Sequence, residues 1–363
     1  AVLGRLFWLQ GPRHLYYLGL AQRQQGFTRI LEPKRGDIYF KTKTGETVRA
    51  AATKVGARLY LNGRALKNPK EIFEKLNQII EIDKALFETI VAKTSDPYEI
   101  LKRRASLEEA EKIISLDFPG VGLEEERWRE YFGGSSASHV LGFVSFYEDG
   151  AGKYGVERYF EPALKGQGGS IRGDLDATGL LILLTRPIEV EAKEGESLFL
   201  TLEPNVQKEV EKELSKLREE WRATSVGILI IEPKTGRIRA LAASPSFNPN
   251  EYQKEKNLDV FLNPFVEKIF ELGSVFKPLT IAAALNDGVI TPETTYVDEG
   301  EVKIGGRVIK NYDGKARGLR TMTQVLEESL NTGAIFAMRR LGGEKLKEYF
   351  INYGLKEKTG IEL

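Results

Sequence analysis

TLEPNVQKEVEKELSKLREEWRATSVGILIIEPKTGRIRALAAS, residues 201–244, decides the fold class. In its first half Val206, Val210, Leu214 and Leu217 recur at helical spacing with charges between them, so 203–221 reads as one amphipathic helix. The second half is two apolar runs joined by Pro233-Lys234-Thr235-Gly236. A proline–glycine turn between such runs is a hairpin signal. A long helix, a hairpin and further helical stretches predict an α+β domain with helices packed on an antiparallel sheet.

Upstream the pattern is different. Residues 29–62 read as short strands broken by turns, one of them at Lys43-Thr44-Gly45. Residues 69–92 and 106–115 carry helical spacing, the first through Ile72, Phe73, Leu76, Ile79, Ile80 and Ile82. Residues 133–180 are glycine-rich and irregular, without a repeat. The polar turn Glu194-Gly195-Glu196 marks the boundary between a mixed, elongated first domain and the second. The opening AVLGRLFWLQGPRHLYYLGLAQRQQ is too short in apolar residues to span a bilayer. Its Trp8, Tyr16 and Tyr17 beside Arg13 and His14 fit the belt just outside a spanning helix, and they equally fit an amphipathic helix packed on the protein body.

Composition narrows the chemistry. The 363 residues suffice for two cores. With 53 basic against 52 acidic residues there is no uniform field to attract nucleic acid. The absence of cysteine excludes thiol nucleophiles, disulfides and zinc–thiolate sites. Only His14 and His139 could serve a histidine triad, and neither lies near a nucleophile-like serine motif. Serine chemistry here therefore calls for another base.

Ser274 is the only serine with a lysine three residues on. It follows Gly273 and opens the apolar stretch Val275–Leu285, which reads as a helix, and a hydroxyl at a helix N-terminus is favoured as an anion. Lys277 returns to the same face one turn later, and desolvation among apolar neighbours would lower its pKa toward that of a general base. The same two residues also fit a capping serine and a snorkelling lysine. Downstream, Ser329-Leu330-Asn331 puts a hydroxyl and a carboxamide on alternate positions, able to relay a proton and hold an amide, or to cap the following helix. Lys-Thr-Gly occurs at Lys43-Thr44-Gly45, at Lys234-Thr235-Gly236 and at Lys358-Thr359-Gly360; the last reads as a loop after a helix.

With these motifs the chain resembles the class B penicillin-binding proteins over nearly its whole length. RLFWLQ and HLYYLGLAQRQQ resemble the segment leaving their membrane anchor, and PKRGDIY the arginine-glycine motif of their pedestal, although FKTKTGE departs from the usual continuation. LDFPGVGLEEERWREY, ASHVLGFV and GVERYFEPALKGQGG match the rest of the pedestal, and EPKTGRIRALAASPSFNPN the first hairpin of the transpeptidase domain. The resemblance implies a juxtamembrane segment at 1–28, a pedestal at 29–195 and a transpeptidase domain at 196–363. It implies truncation at both ends, with the active-site Lys-Thr-Gly beyond Leu363 and Lys358-Thr359-Gly360 a decoy.

The implied activity is a peptidoglycan D,D-transpeptidase, with a lean toward division. Ser274 would be the nucleophile, Lys277 its base, Ser329 a proton relay and Asn331 a holder of substrate amide. No metal or organic cofactor is implied. Implied partners are stem peptides ending in D-Ala-D-Ala, β-lactams, a glycosyltransferase and other membrane cell-wall proteins, with no nucleic acid. The implied location is the outer side of the cytoplasmic membrane on a single-pass anchor. The rival readings are a D,D-carboxypeptidase, a β-lactamase or β-lactam sensor, and a non-catalytic scaffold.

Overall fold

The computed structural model describes residues 26–93, 98–145, 150–174, 188–269 and 271–363. The opening segment singled out above lies outside them. Among the described residues no helix is long and apolar enough to cross a membrane. The chain divides into two compact units: Lys268–Ile361, and the residues up to Glu267 together with Glu362 and Leu363. The architecture is α+β in both.

The first unit is organised by one 15-residue strand, Thr47–Leu61. It pairs antiparallel with Ile38–Lys41, with Glu99–Ala105 and, over Ala51–Leu61, with Val121–Tyr131. The short strand Leu198–Leu200 adds in parallel beyond Ile38–Lys41. Of the short strands expected over 29–62, Gly26–Leu31 and Ile38–Lys41 are present with the turn at Lys43-Thr44-Gly45, but the remainder is one long strand. Lys54 and Gly56 interrupt its apolar pattern, but the ladder to Val121–Tyr131 runs unbroken past both.

Two cores form along this strand. Leu59 and Leu61 join Ile72, Leu76, Phe87, Ile90 and Ile113 from three helices. Ala50 and Ala51 join Ile38, Leu141, Phe143, Leu164, Leu241, Phe247 and Phe261. The apolar stripe of 69–92 is two helices, Pro69–Ile79 and Lys84–Ala92. Asp83 accounts for the break: its carboxylate accepts from the N–H groups of Ala85 (2.8 Å) and Leu86 (3.2 Å) and so starts a new helix. Ile80 and Ile82 remain buried in the extended link.

The region 133–180 contains short helices, Ser138–Leu141, Gly155–Tyr159 and Glu161–Lys165. Glu157 lies in the second of these and is fully buried. It accepts from Arg35 Nε and Arg129 Nε, both at 2.7 Å, and from the Tyr131 hydroxyl at 3.3 Å. Arg35 also meets Glu161 at 2.6 Å, and Arg129 donates to the Gly36 carbonyl at 2.8 Å. Residues from PKRGDIY, ERWREY and GVERYFEP thus converge on one carboxylate. Burial, then the Glu157 charge, push the Tyr131 phenol well above its ordinary pKa, so it stays a neutral donor.

The helix Pro204–Trp221 packs on the hairpin Val226–Ile231/Ile238–Ser244 through Val206, Val210 and Leu214 against Ala240 and Ala242. Leu217, expected on that face, is 36% exposed. Buried Gln207 fixes helix to strand, donating to the Leu241 carbonyl (3.0 Å) and accepting from the Leu241 N–H (2.9 Å). Lys234-Thr235-Gly236 forms the hairpin turn, as read from sequence.

The second unit sets four helices, Lys277–Asn286, Met322–Glu327, Asn331–Leu341 and Gly343–Asn352, beside two small antiparallel ladders. One pairs Thr295–Asp298 with Gly318–Thr321; the other, between them in sequence, is the hairpin Glu301–Ile304/Arg307–Lys310. Its core gathers Ile281, Ala284, Ile290, Tyr296, Met322, Val325, Leu330 and Leu341. Gly333 lets the Asn331–Leu341 helix approach closely, since a Cβ there would lie 2.2 Å from the Val325 side chain.

Candidate active site

Ser274 is in a 3-10 turn, Gly273–Phe276, that runs directly into the helix Lys277–Asn286. The sequence suggested an α-helix from Val275. Pro278 brings no N–H, and the Lys277 N–H bonds back to the Ser274 carbonyl, which tightens the first turn. In a 3-10 turn positions three apart eclipse, so Ser274 and Lys277 stack more directly than on an α-helix. Gly273 enters the turn at φ +60°, a conformation costly for other residues.

Lys277 Nζ lies 3.2 Å from Ser274 Oγ and 3.0 Å from Ser329 Oγ, and it also contacts the Ser329 carbonyl. No ion pair to a carboxylate holds this ammonium among the described residues. Burial alone acts on it and lowers its pKa below the ordinary lysine range. The three oxygens saturate the donors of an ammonium. In the neutral amine, two N–H groups can hold Ser329 while the lone pair receives the Ser274 proton. Ser274 itself is exposed, as a nucleophile must be to meet substrate.

Ser329 reaches Lys277 because of how the preceding helix ends. Met322–Glu327 starts with a capping box, Thr321 with Gln324. It finishes with the Leu330 N–H on the Val325 carbonyl (2.9 Å) and the Ser329 N–H on the Leu326 carbonyl (3.2 Å). This is a Schellman ending, with Leu330 and Val325 as its apolar contact, both fully buried. Ser329 holds the left-handed position at φ +51°, where glycine is usual. The alternative reading of the sequence has Ser329 or Asn331 capping the next helix. Instead Ser329 closes the previous one, and Asn331 is the first residue of Asn331–Leu341. The Asn331 carboxamide donates from Nδ2 to the Lys310 carbonyl at 2.7 Å.

Behind this turn is a polar group that sequence reading did not single out. Asp298, Asn311 and Thr332 are all buried. Asp298 accepts from Thr332 Oγ1 at 2.7 Å, from Asn311 Nδ2 at 3.0 Å to each oxygen, and from the N–H groups of Gly300 and Arg317 at 3.1 Å each. Burial works to raise its pKa, but the bonds from Thr332, Gly300, Asn311 and Arg317 outweigh it and hold the carboxyl below the ordinary range. The available signal was slight: an acid closing the short strand TYVD, with Glu299 directly after it. Lys358-Thr359-Gly360 is exposed and outside any strand, after the helix Gly343–Asn352.

Comparison with known proteins bears on the family. Residues 30–200 match the penicillin-binding protein dimerisation domain and residues 226–363 the penicillin-binding protein transpeptidase domain. Stage V sporulation protein D of Bacillus subtilis is 30% identical over 92% of this chain and 51% of its own length. The probable peptidoglycan D,D-transpeptidase FtsI of Caulobacter vibrioides is 28% identical over 93% of the chain and 52% of its own length. The peptidoglycan D,D-transpeptidase MrdA of Escherichia coli is 26% identical over 92% and 57%.

The chain thus spans about half the length of the curated relatives it matches. Penicillin-binding protein 2X of Streptococcus thermophilus shares the fold with a TM-score of 0.64 at 22% identity, covering 92% of this chain and 52% of that one. A Helicobacter pylori penicillin-binding protein solved as a complex of PBP2 and MreC gives a TM-score of 0.66 at 20% identity, covering 93% and 67%. Two family models in series, relatives aligned across most of the sequence and a matching fold lead to one conclusion: the chain belongs to the class B penicillin-binding proteins.

Proposed function

We propose that this chain is the pedestal (29–195) and transpeptidase part (196–363) of a peptidoglycan D,D-transpeptidase that works through an acyl-enzyme on Ser274. The observation that carries this reading is the Lys277 amine between the Ser274 and Ser329 hydroxyls, at 3.2 and 3.0 Å, with its pKa lowered by burial and, among the described residues, no carboxylate to hold its charge.

Neutral Lys277 takes the Ser274 proton as Oγ attacks the carbonyl between the two terminal D-alanines of a stem peptide. In this reading the Ser274 N–H donates to the oxyanion. The peptide C–N bond breaks, and the proton passes from Lys277 through Ser329 to the departing D-alanine nitrogen. An amine of a neighbouring stem peptide then attacks the ester carbonyl and gives its proton to Lys277; the C–Oγ bond breaks, and Lys277 returns that proton to Ser274 Oγ, leaving both groups as they began. Asn331 holds a substrate amide. β-Lactams, as mimics of D-Ala-D-Ala, acylate Ser274 in the same way.

The relatives named as peptidoglycan D,D-transpeptidases support the substrate class. We assign the enzyme to the outer face of the cytoplasmic membrane on a single N-terminal anchor, and to division, on the pedestal resemblance. The PBP2–MreC complex of similar fold supports a protein partner among the cell-wall machinery. The test is labelling of the full-length gene product by a fluorescent penicillin. The expected result is one covalent label per chain, lost in Ser274→Ala and strongly slowed in Lys277→Met; persistent labelling of Ser274→Ala refutes the assignment.

A further inference from the structure

We infer that Asp298 is a positioning residue for the acylation site, acting through Asn311 and Thr332 on Asn331; this rests on the acyl-enzyme reading above. The geometry runs in two arms. In one, Asp298 grips the Asn311 carboxamide with both oxygens at 3.0 Å, and the Asn311 N–H bonds to the Gly300 carbonyl at 2.9 Å. Asn311 follows Lys310, whose carbonyl receives Asn331 Nδ2 at 2.7 Å. A carbonyl can accept only from the amide nitrogen, so this bond fixes which end of the Asn331 side chain faces the hairpin and leaves Oδ1 as the end that can accept from a substrate N–H.

In the other arm, Thr332 donates to Asp298 at 2.7 Å and its own N–H reaches Asn311 Oδ1 at 3.3 Å. Tyr296 completes it, with its hydroxyl 3.0 Å from Thr332 Oγ1 and its ring stacked on Phe336 at 5.4 Å. Thr332 is adjacent to Asn331, so the first turn of Asn331–Leu341 is tied to the same carboxylate as the hairpin that holds the Asn331 amide.

A buried carboxylate that accepts five hydrogen bonds from three segments works as a clamp. Each bond is directional, and a carboxamide in its place would set an N–H₂ against one of the N–H donors. Loss of the clamp frees the Lys310 carbonyl and the helix start to move independently. Asn331 then loses its fixed orientation while Ser274 and Lys277 keep theirs.

The experiment measures the rate of acylation by fluorescent penicillin on the full-length gene product, well below its unfolding temperature. The variants are Asp298→Asn, Thr332→Val, Asn331→Ala and the two double variants with Asn331→Ala. Asp298→Asn should slow acylation about 10-fold or more and Thr332→Val roughly 3- to 10-fold, from loss of charge-assisted hydrogen bonds. In the Asn331→Ala background each should add less than about 2-fold, because residues acting through one group are not additive.

A general loosening of the fold would multiply fully with Asn331→Ala, and that outcome overturns the inference. So does Asp298→Asn acylating at the wild-type rate while Ser274→Ala is silent, which leaves the acyl-enzyme reading intact. A wild type that takes no label overturns both. If Asp298→Asn does not fold, Thr332→Val carries the same cycle with the same two outcomes.

Discussion

Glu157→Gln is the substitution whose cost follows most directly from the geometry. The native carboxylate is fully buried and faces Arg35 and Arg129, whose Nε atoms each donate at 2.7 Å, while Glu161 is the other acid on Arg35 at 2.6 Å. The four side chains balance as two cations and two anions. Glutamine keeps the shape but offers one oxygen and one N–H₂, so one guanidinium meets a donor instead of an acceptor. The buried group is left with one uncompensated positive charge.

A lost charge-assisted bond is worth about 1.5–3 kcal/mol. Breaking a buried ion pair by removing one partner costs about 3–5 kcal/mol. The second figure covers both effects, so roughly 3–5 kcal/mol is expected for the first unit, or a fall of about 10 °C in the midpoint. Urea and thermal unfolding followed by circular dichroism measure it. The double variant Glu157→Gln, Arg129→Met restores the charge balance, leaving Arg35 with Glu161, and should lose less than the sum of the two single changes. A loss below about 1 kcal/mol for Glu157→Gln would refute the reasoning, since the buried charges would then be compensated by something other than Glu157.

Two further outcomes follow from the site. Acylation requires neutral Lys277, so its rate should rise with pH through the Lys277 pKa; because burial lowers that pKa, the rise should centre below the ordinary lysine value near about 10.4. A pH–rate profile with no inflection below that value would remove Lys277 as the base. Ser329→Gly and Ser329→Ala both delete the hydroxyl 3.0 Å from Lys277 and should slow acylation alike, but glycine suits φ +51° and should be about 1 kcal/mol more stable than alanine in urea unfolding.

The residues legible in the sequence are those whose signal is local. Val206, Val210 and Leu214 announce their helix, and the Pro-Lys-Thr-Gly turn its hairpin, because spacing of 3.6 and turn chemistry act within a few residues. The Ser274–Lys277 contact also follows from spacing, through one tight turn. Ser329 was visible as a residue but not as a left-handed C-terminal position, because that geometry depends on burying Leu330 against Val325. Asp298 was missed because its partners lie 34 positions away at Thr332 and 13 at Asn311, and no periodicity links them. The continuity of Thr47–Leu61 likewise came from its partner strand.

That long strand has a mechanical consequence. At about 3.3 Å per residue its 15 residues extend about 50 Å, with Ala50 and Ala51 anchored in one core and Leu59 and Leu61 in the other. A paired strand resists bending where a loop would yield, so it works as a tie-rod: displacement at one core is delivered to the other as translation rather than absorbed. The two cores should therefore open together, and amides at Ala51 and Leu59 should exchange hydrogen in a shared event rather than in two independent ones.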